Sequence, residues 1–454
     1  MSARAQWLGW AGLAVFAGLG VYGATLGWGT DRDSLRVIGA ARAILAGGYV
    51  RSRSFGFPLH EAACAVLFRL GGLVGVNLGT VAVSAAGILA ARALVLPDRR
   101  VLVTCVLCFC PLLLADASSA IDFGWDFAAG MALCVVAQGY VRGRGSGVAY
   151  FVAALCLLLL RPDNVLFLAA VSAALLAGRV ARWRVVVAAC VLAGIAAACV
   201  YLGLNGAAML GHGVSTTRPF GGRALRAGLF LSAALGPGGV LALVLIWRSR
   251  RVGADFLLRA LWMCWALYLP RFLVLPDQLD YLMLPVLLTL VVACARLTMG
   301  AAAGVGFLVC APSFVTLSLL RRHDVSGAVR FDPALQWGAL PQDWAARRFA
   351  ARMEGSGMTR QVQARVAAPA LAYDEYMPGY VSPGRDLVTG RMHLYRVLAL
   401  GGGAVAAATV PRARYRAIWA CDAPLGPNAG WRGWEAPLAP PEGGFNCWLA
   451  SAPP

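Results

Sequence analysis

Lysine is absent: all 40 basic residues of this 454-residue chain are arginine. Acidic residues are scarce, 21 in all, and charged residues of both signs make up only 13% of the sequence. A soluble domain carries about 25% charged residues, so that class is excluded. The imbalance leaves a formal net charge of +19. It does not mark a nucleic-acid surface, because the arginines punctuate apolar runs instead of gathering into one patch. The lysine deficit fits a GC-rich coding bias. Metal-type cysteine spacing is missing as well. None of the 13 cysteines forms a paired-ligand pattern, and Cys105, Cys108 and Cys110 sit in an apolar run, where cysteine behaves as a small hydrophobe. The first apolar segment lacks a clear small-residue cleavage site, so it reads as an uncleaved anchor.

What is abundant is hydrophobic surface: 60% of the residues are apolar and the mean hydropathy is +0.70. Apolar segments long enough or nearly long enough to span a bilayer fall at 7–29, 74–96, 101–115, 123–141, 146–160, 164–178, 185–204, 228–247, 255–275, 281–295 and 298–320, about eleven in all. The expected fold is an all-α polytopic membrane bundle over 1–320, with an external loop at 30–73 carrying interfacial helices. A small α+β extracytoplasmic domain is expected over 321–454.

The joints between segments alternate in character. Arg99 and Arg100, Arg142 and Arg144, Arg179, Arg182 and Arg184, Arg248, Arg250 and Arg251, and Arg296 mark one side as cytoplasmic, together with the N-terminus. Before residue 321, only Asp98 and Asp255 add carboxylates to that side. Asp31, Asp33, Glu61, Asp116, Asp122, Asp126, Asp163, Asp277 and Asp280 fall on or near the outer face. Acidic residues contribute little to orientation, so this segregation points to an outward polar site built from several helix ends. Ordinary loop polarity is the alternative.

The stretch TDRDSLRVIGAARAILAGGYVRSRSFGFPLHE, 30–61, opens the first external loop. Asp31 or Asp33, with Ser34, can cap a helix that Gly47 and Gly48 end. Leu35, Ile38 and Leu45 share one face, as in a helix lying on a membrane surface. Arg42 falls near that face and must snorkel or find an acidic partner. Pro58 starts a second amphipathic segment, 58–70. Two aspartates one residue apart at a lipid–water boundary exceed what a cap needs, and a carboxylate there can act as a general base.

An outer-face aspartate after the first span, nine residues before Arg42 and followed by GGY, SR and GFPL, resembles the first external loop of GT-C glycosyltransferases. These integral-membrane enzymes, which include the protein O-mannosyltransferase and aminoarabinose transferase branches, take sugar from a polyprenyl-phosphate carrier. The tandem acidic pair of that family is here split by Arg32. SSAIDFGWDF (118–127), LRPDNVLFL (160–168) and PRFLVLPDQLDYLMLPV (270–286) resemble further family stretches in order and side. The resemblance covers about 1–320.

The resemblance implies Asp33 as the catalytic base with Asp31 beside it, and Asp122 and Asp163 as further acidic residues. It implies phosphate contacts from Arg271, Arg161 and Arg42, and a late hairpin carrying Asp280 and Tyr281. Snorkelling, or pairing with Asp163 and Asp280, is the alternative for Arg271 and Arg161. Direct displacement would invert the anomeric carbon. The implied partners are a polyprenyl-phosphate sugar, an acceptor lipid, protein or polysaccharide, and the bilayer, with no nucleic acid. The implied location is a bacterial cytoplasmic membrane, with the C-terminal domain outside. A divalent cation, Mg2+ or Mn2+, stays an open requirement, since no ligand-spaced cluster is evident.

The Gly-rich external loop 205–227 carries His212 and Arg218 and suits a lid; an ordinary surface histidine is the alternative. In the tail, 339–355 reads as a helix and 412–419 as a half-buried strand. Cys421 and Cys447 are the tail's only cysteines, and the expectation is a disulfide, with two buried thiols as the alternative. Trp431 and Trp434 either pack or stack on sugar. Two other function classes remain: a secondary transporter, expected to show inverted repeats and Gly/Pro-broken helices, and an envelope-polymer ligase or polymerase.

Overall fold

The computed structural model describes residues 3–27, 32–53, 55–178, 180, 182–206, 220–249, 255–274, 279–323, 329–337, 340, 344, 347, 370–374, 377–381, 417–421 and 447–451. The chain divides into two compact units. One comprises Met1–Ala24 and Arg36–Pro312, the other Thr25–Leu35 and Ser313–Pro454.

The first unit is helical. In chain order its helices are α1 (Ala3–Ala24), α2 (Arg32–Leu45, which begins in the second unit), α3 (Pro58–Leu94), α4 (Arg100–Cys108), α5 (Pro111–Asp116), α6 (Phe123–Val141) and α7 (Gly147–Leu160). There follow α8 (Val165–Ala177), α9 (Trp183–Asn205), α10 (Phe220–Ser249), α11 (Phe256–Val274), α12 (Met283–Arg296) and α13 (Met299–Cys310). Among the described residues, four stretches are long and apolar enough to cross a membrane: Gln6–Ala24 in α1, α3, α9 and α11. Shorter apolar helices occupy Gly147–Leu160, Pro162–Ala177, Ala234–Ser249, Met283–Arg296 and Met299–Ser313. The chain is thus a helical protein of membrane type.

Proline sets several helix starts. A residue before proline is driven out of the α region, and Phe57, Leu96, Cys110 and Arg161 all stand in that position with non-helical ψ between 73° and 153°. The break at Cys110–Pro111 splits the expected single span 101–115 into α4 and α5. Within α3, Gly71 and Gly72 leave helical geometry, and Gly72 takes φ 59°, ψ −149°, which a side chain would strain. This divides α3 into a segment before Gly71 and a long apolar segment after it.

The packing is close where glycine allows it. α6 lies along α3, with Gly87 against Phe127 and Ala128 and with Gly124 against Ser84. α9 packs on α7, and α8 on α11. α12 is buried at every position from Met283 to Cys294, as expected for a helix apolar on all sides. α9 instead leaves Val191, Leu192 and Ile195 exposed. In α2, Val37, Ile38, Ala40 and Ala41 are buried, while Leu45 is exposed and does not continue the face expected from the sequence.

The expected final span, 298–320, ends early. α13 stops at Cys310, a single 3-10 turn holds Pro312, and Val315–His323 forms strand β1, paired antiparallel with β2 (Val329–Trp337). Proline removes a helical donor, and the following Val-Thr-Leu-Ser-Leu-Leu run suits an extended chain. Four further short strands, β3 (Ala370–Asp374), β4 (Met377–Val381), β5 (Ala417–Cys421) and β6 (Cys447–Ser451), pair in the order β4-β3-β5-β6, with β3 and β5 parallel. The helix expected over 339–355 is described only at Leu340, Trp344 and Arg347, all helical; Arg347 donates to the Gly27 carbonyl at 2.9 Å.

Candidate active site

Arg161 is the centre of a buried ionic cluster in the helical unit. α7 ends there because Pro162 follows, and the extended backbone at Arg161 opens the α7–α8 joint. The guanidinium Nη1 donates to Asp122 Oδ2 at 2.9 Å, and Nε donates to Asp163 Oδ1 at 3.0 Å. Nη2 reaches Asp163 Oδ2 at 3.3 Å, and Nε lies 3.4 Å from Asp126 Oδ2. Three carboxylates therefore surround one cation.

Two more arginines balance them. Arg53 Nη2 stands 3.0 Å from Asp122 Oδ1. Arg271, in the last turn of α11, donates through Nη2 to Asp163 Oδ2 at 2.5 Å. Asn164 Nδ2 donates to Asp126 Oδ1 at 2.8 Å and to the Leu157 carbonyl at 3.0 Å. The aromatic walls are Phe57, Phe123 and Tyr281, whose ring centroids lie 5.3, 4.7 and 5.0 Å from the Arg161 Cζ. Tyr281 also stacks on Arg271 at 5.1 Å and Phe57 on Arg53 at 4.8 Å. Guanidinium faces take π contact while their edges hold carboxylates.

Charge follows geometry. Burial alone would push the Asp122 carboxyl up, but Arg53 and Arg161 outweigh it and hold the group below the ordinary carboxylate range. Burial likewise works against a charged Arg161, and Asp163, Asp122 and Asp126 outweigh that, keeping it a cation. Removing any one partner leaves a buried charge without compensation.

A second layer fixes the loop before α3. Buried Glu61 accepts from the Ser52 backbone N–H at 2.8 Å, from Ser52 Oγ and from the Tyr49 hydroxyl. Burial, then the bond to Glu61, raises the Tyr49 phenol and keeps it a donor. Asn205, at the end of α9, donates to the Phe55 carbonyl at 3.0 Å and accepts from Arg51 at 3.2 Å. His60 is buried with its ring edge-on to Trp125 at 5.4 Å, and Trp125 donates to Thr80 Oγ1 at 3.2 Å.

Of the residues singled out from the sequence, Asp122, Asp163, Arg161, Arg271 and Tyr281 come together here. Asp33 lies buried in the first turn of α2 and belongs to the second unit. Arg42 is exposed, with its guanidinium 5.4 Å from the Phe68 ring. Asp280 stands in the turn Leu279–Leu282, and its side chain lies outside the described set. Asp31, His212 and Arg218 lie outside the described residues. In the β sheet, the register sets Cys421 opposite Cys447. Sequence reading passed over Arg53, Phe57 and Asn164. Arg53 had one usable signal, its place in the arginine-bearing SRSFGF turn before Pro58.

The accessible rim of the cluster is Arg271 with Asp163; the Arg271 side chain is 22% exposed, against 5% for Arg161. An incoming anion can compete for Arg271 while Arg161 stays committed to carboxylates. Among the described residues no group of three or more His, Cys, Asp or Glu side chains is arranged to hold a metal ion. No protein-family model, curated protein or solved structure matches the chain.

Proposed function

We propose that the chain is a GT-C-like membrane glycosyltransferase that moves a sugar from a polyprenyl-phosphate donor to an extracytoplasmic lipid, protein or polysaccharide acceptor. The reading carries with it about eleven membrane crossings, an α+β domain outside the membrane and a bacterial cytoplasmic-membrane location with the N-terminus inside. The observation that supports it is the convergence of Asp122, Arg161, Asp163, Arg271 and Tyr281, drawn from separate helix ends, into one charge-balanced cluster.

In this reading Asp33 takes the proton of the acceptor hydroxyl. The hydroxyl oxygen bonds the anomeric carbon from the face opposite the phosphate, and the bond between that carbon and the phosphate oxygen breaks. Its electron pair leaves on polyprenyl phosphate, and the configuration inverts. Arg271, at the rim, stabilises the charge growing on the phosphate. Arg161 acts by position: with its three carboxylates it fixes the start of α6 and the α7–α8 joint on either side of the rim. Arg53 steadies Asp122 from the loop before α3.

A second reading is carried by α10, which breaks at Gly236 and continues through Pro237. With the break at Gly71–Gly72, this is the interrupted-helix pattern of secondary transporters. One comparison separates the two. Purified protein is given polyprenyl-phosphate sugars in detergent, and sealed proteoliposomes are loaded with the corresponding free sugars and ions. Release of polyprenyl phosphate supports the transferase. Solute flux with no donor consumption supports the transporter and removes the first reading.

A further inference from the structure

The α1–α2 connection and the polar tail belong to one compact unit, Thr25–Leu35 with Ser313–Pro454. Residues 320 positions apart in the chain meet in it: Arg347 Nη2 donates to the Gly27 carbonyl at 2.9 Å. Gly27 takes φ 97°, a left-handed conformation that glycine adopts without strain. It stands between the end of α1 and the first turn of α2, where Asp33 and Ser34 are both buried. Arg347 is itself completely buried, a rare state for an arginine unless its donors are engaged. Leu340, Trp344 and Arg347 are each helical, and steps of four and three residues place them on one helical face, with Leu340 buried alongside Arg347. The donor that reaches the turn before α2 is thus held on a packed face, and a hydrogen bond from a cation is of the stronger kind.

A general base works only while its carboxylate stays within hydrogen-bond reach of the hydroxyl it deprotonates, and small misplacements cost rate steeply. We propose that Arg347 is a positioning residue: its bond to Gly27 fixes the turn that sets where α2 begins, and so where Asp33 is presented. The proposal rests on the transferase reading, in which Asp33 takes the acceptor's proton. The tail is then part of the enzyme's machinery. Whatever draws Arg347 off Gly27 slows transfer without weakening the hold on the donor, because the donor's phosphate is met by Arg271.

The test compares purified full-length wild type with Arg347→Met, which keeps the length of the side chain and removes its donors, and with Arg347→Lys. Hydrogen–deuterium exchange, read by mass spectrometry, should be about tenfold faster over Thr25–Leu35 in Arg347→Met and unchanged in α6 and α7. Release of polyprenyl phosphate should show kcat lower by about tenfold or more, with the donor KM unchanged. Arg347→Lys can still donate to the carbonyl and should recover most of both. Unchanged exchange over Thr25–Leu35 in Arg347→Met overturns the proposal. Faster exchange at unchanged kcat overturns it too, as does a loss of kcat that Arg347→Lys does not relieve. A wild type that turns over no donor sinks the transferase reading and the role of Asp33 with it, while the exchange arm still reports by itself whether Arg347 holds the turn. Should Arg347→Met not fold, Gly27→Ala strains the same turn from its other side, and the same faster exchange and lower kcat are expected. Unchanged values there are equally fatal.

Discussion

Arg161 and Asp122 are 39 residues apart in the chain and 2.9 Å apart in space, Nη1 against Oδ2. Asp122 stands immediately before α6 and Arg161 immediately after α7, so this one ion pair holds two helix ends together at the same face of the bundle.

Replacing Arg161 by Met should destabilise the protein by about 3–5 kcal/mol, because Asp122 and Asp163 would each lose a buried cationic partner. Thermal inactivation in detergent reads this directly. Adding Asp122→Asn to Arg161→Met should restore part of the loss, since one of the stranded charges is removed with its partner. Strictly additive losses would show that the pair does not act as a unit.

Acid should undo the same contact. The Asp122 carboxyl is held below its ordinary range in the folded protein, after Arg53 and Arg161 outweigh burial. Its contribution is therefore complete above the unfolded carboxylate value, about pH 4, and is lost as pH falls through the lower folded value. The apparent Tm should be level from neutral pH to about pH 5 and drop below about pH 4. Asp122→Asn should be less stable at neutral pH and show a shallower acid limb. A parallel acid limb in both proteins contradicts this assignment.

Gly87 lets α3 and α6 touch. A Cβ there would lie 2.7 Å from Phe127 Cδ1 and 2.9 Å from the Ala128 Cα, and the second contact is backbone that has little room to yield. Gly87→Ala should cost about 1–3 kcal/mol, whereas Gly18→Ala, with open space around it, should cost little. Paired thermal-stability measurements decide the point.

The register of β5 and β6 sets Cys421 against Cys447, and opposed Cα atoms on antiparallel strands fall within disulfide reach. Protein isolated from an oxidising compartment should yield a linked peptide pair under non-reducing mass mapping. Two separately alkylated thiols would contradict the bridge.

Much of the helical unit was legible because hydropathy and proline act locally. Pro58, Pro97, Pro111 and Pro162 each start a helix or a 3-10 turn in the structure, and each can be read from two adjacent letters. The end of the last helix was misjudged: apolar content carried the expected span to 320, while Pro312 and the β-branched residues after it turn the chain to strand. Composition does not distinguish a buried helix from an apolar strand. The acidic members of the cluster were visible as carboxylates gathered at alternate joints between apolar segments. Their pairing was not, because contacts such as Arg53 to Asp122 join stretches whose separation only the packing of α3 on α6 closes. Arg161 illustrates the limit: its residue type suited a phosphate, and its neighbours in space are carboxylates.

The most direct measurement is turnover of a panel of polyprenyl-phosphate sugars by purified wild-type protein and by Asp33→Asn, with polyprenyl phosphate release as the readout and thermal stability measured alongside. The expected result is release by the wild type from at least one donor, and a loss of about 100-fold or more in the variant at unchanged stability. No release from any donor, or a variant as active as the wild type, would contradict the transfer chemistry assigned to Asp33.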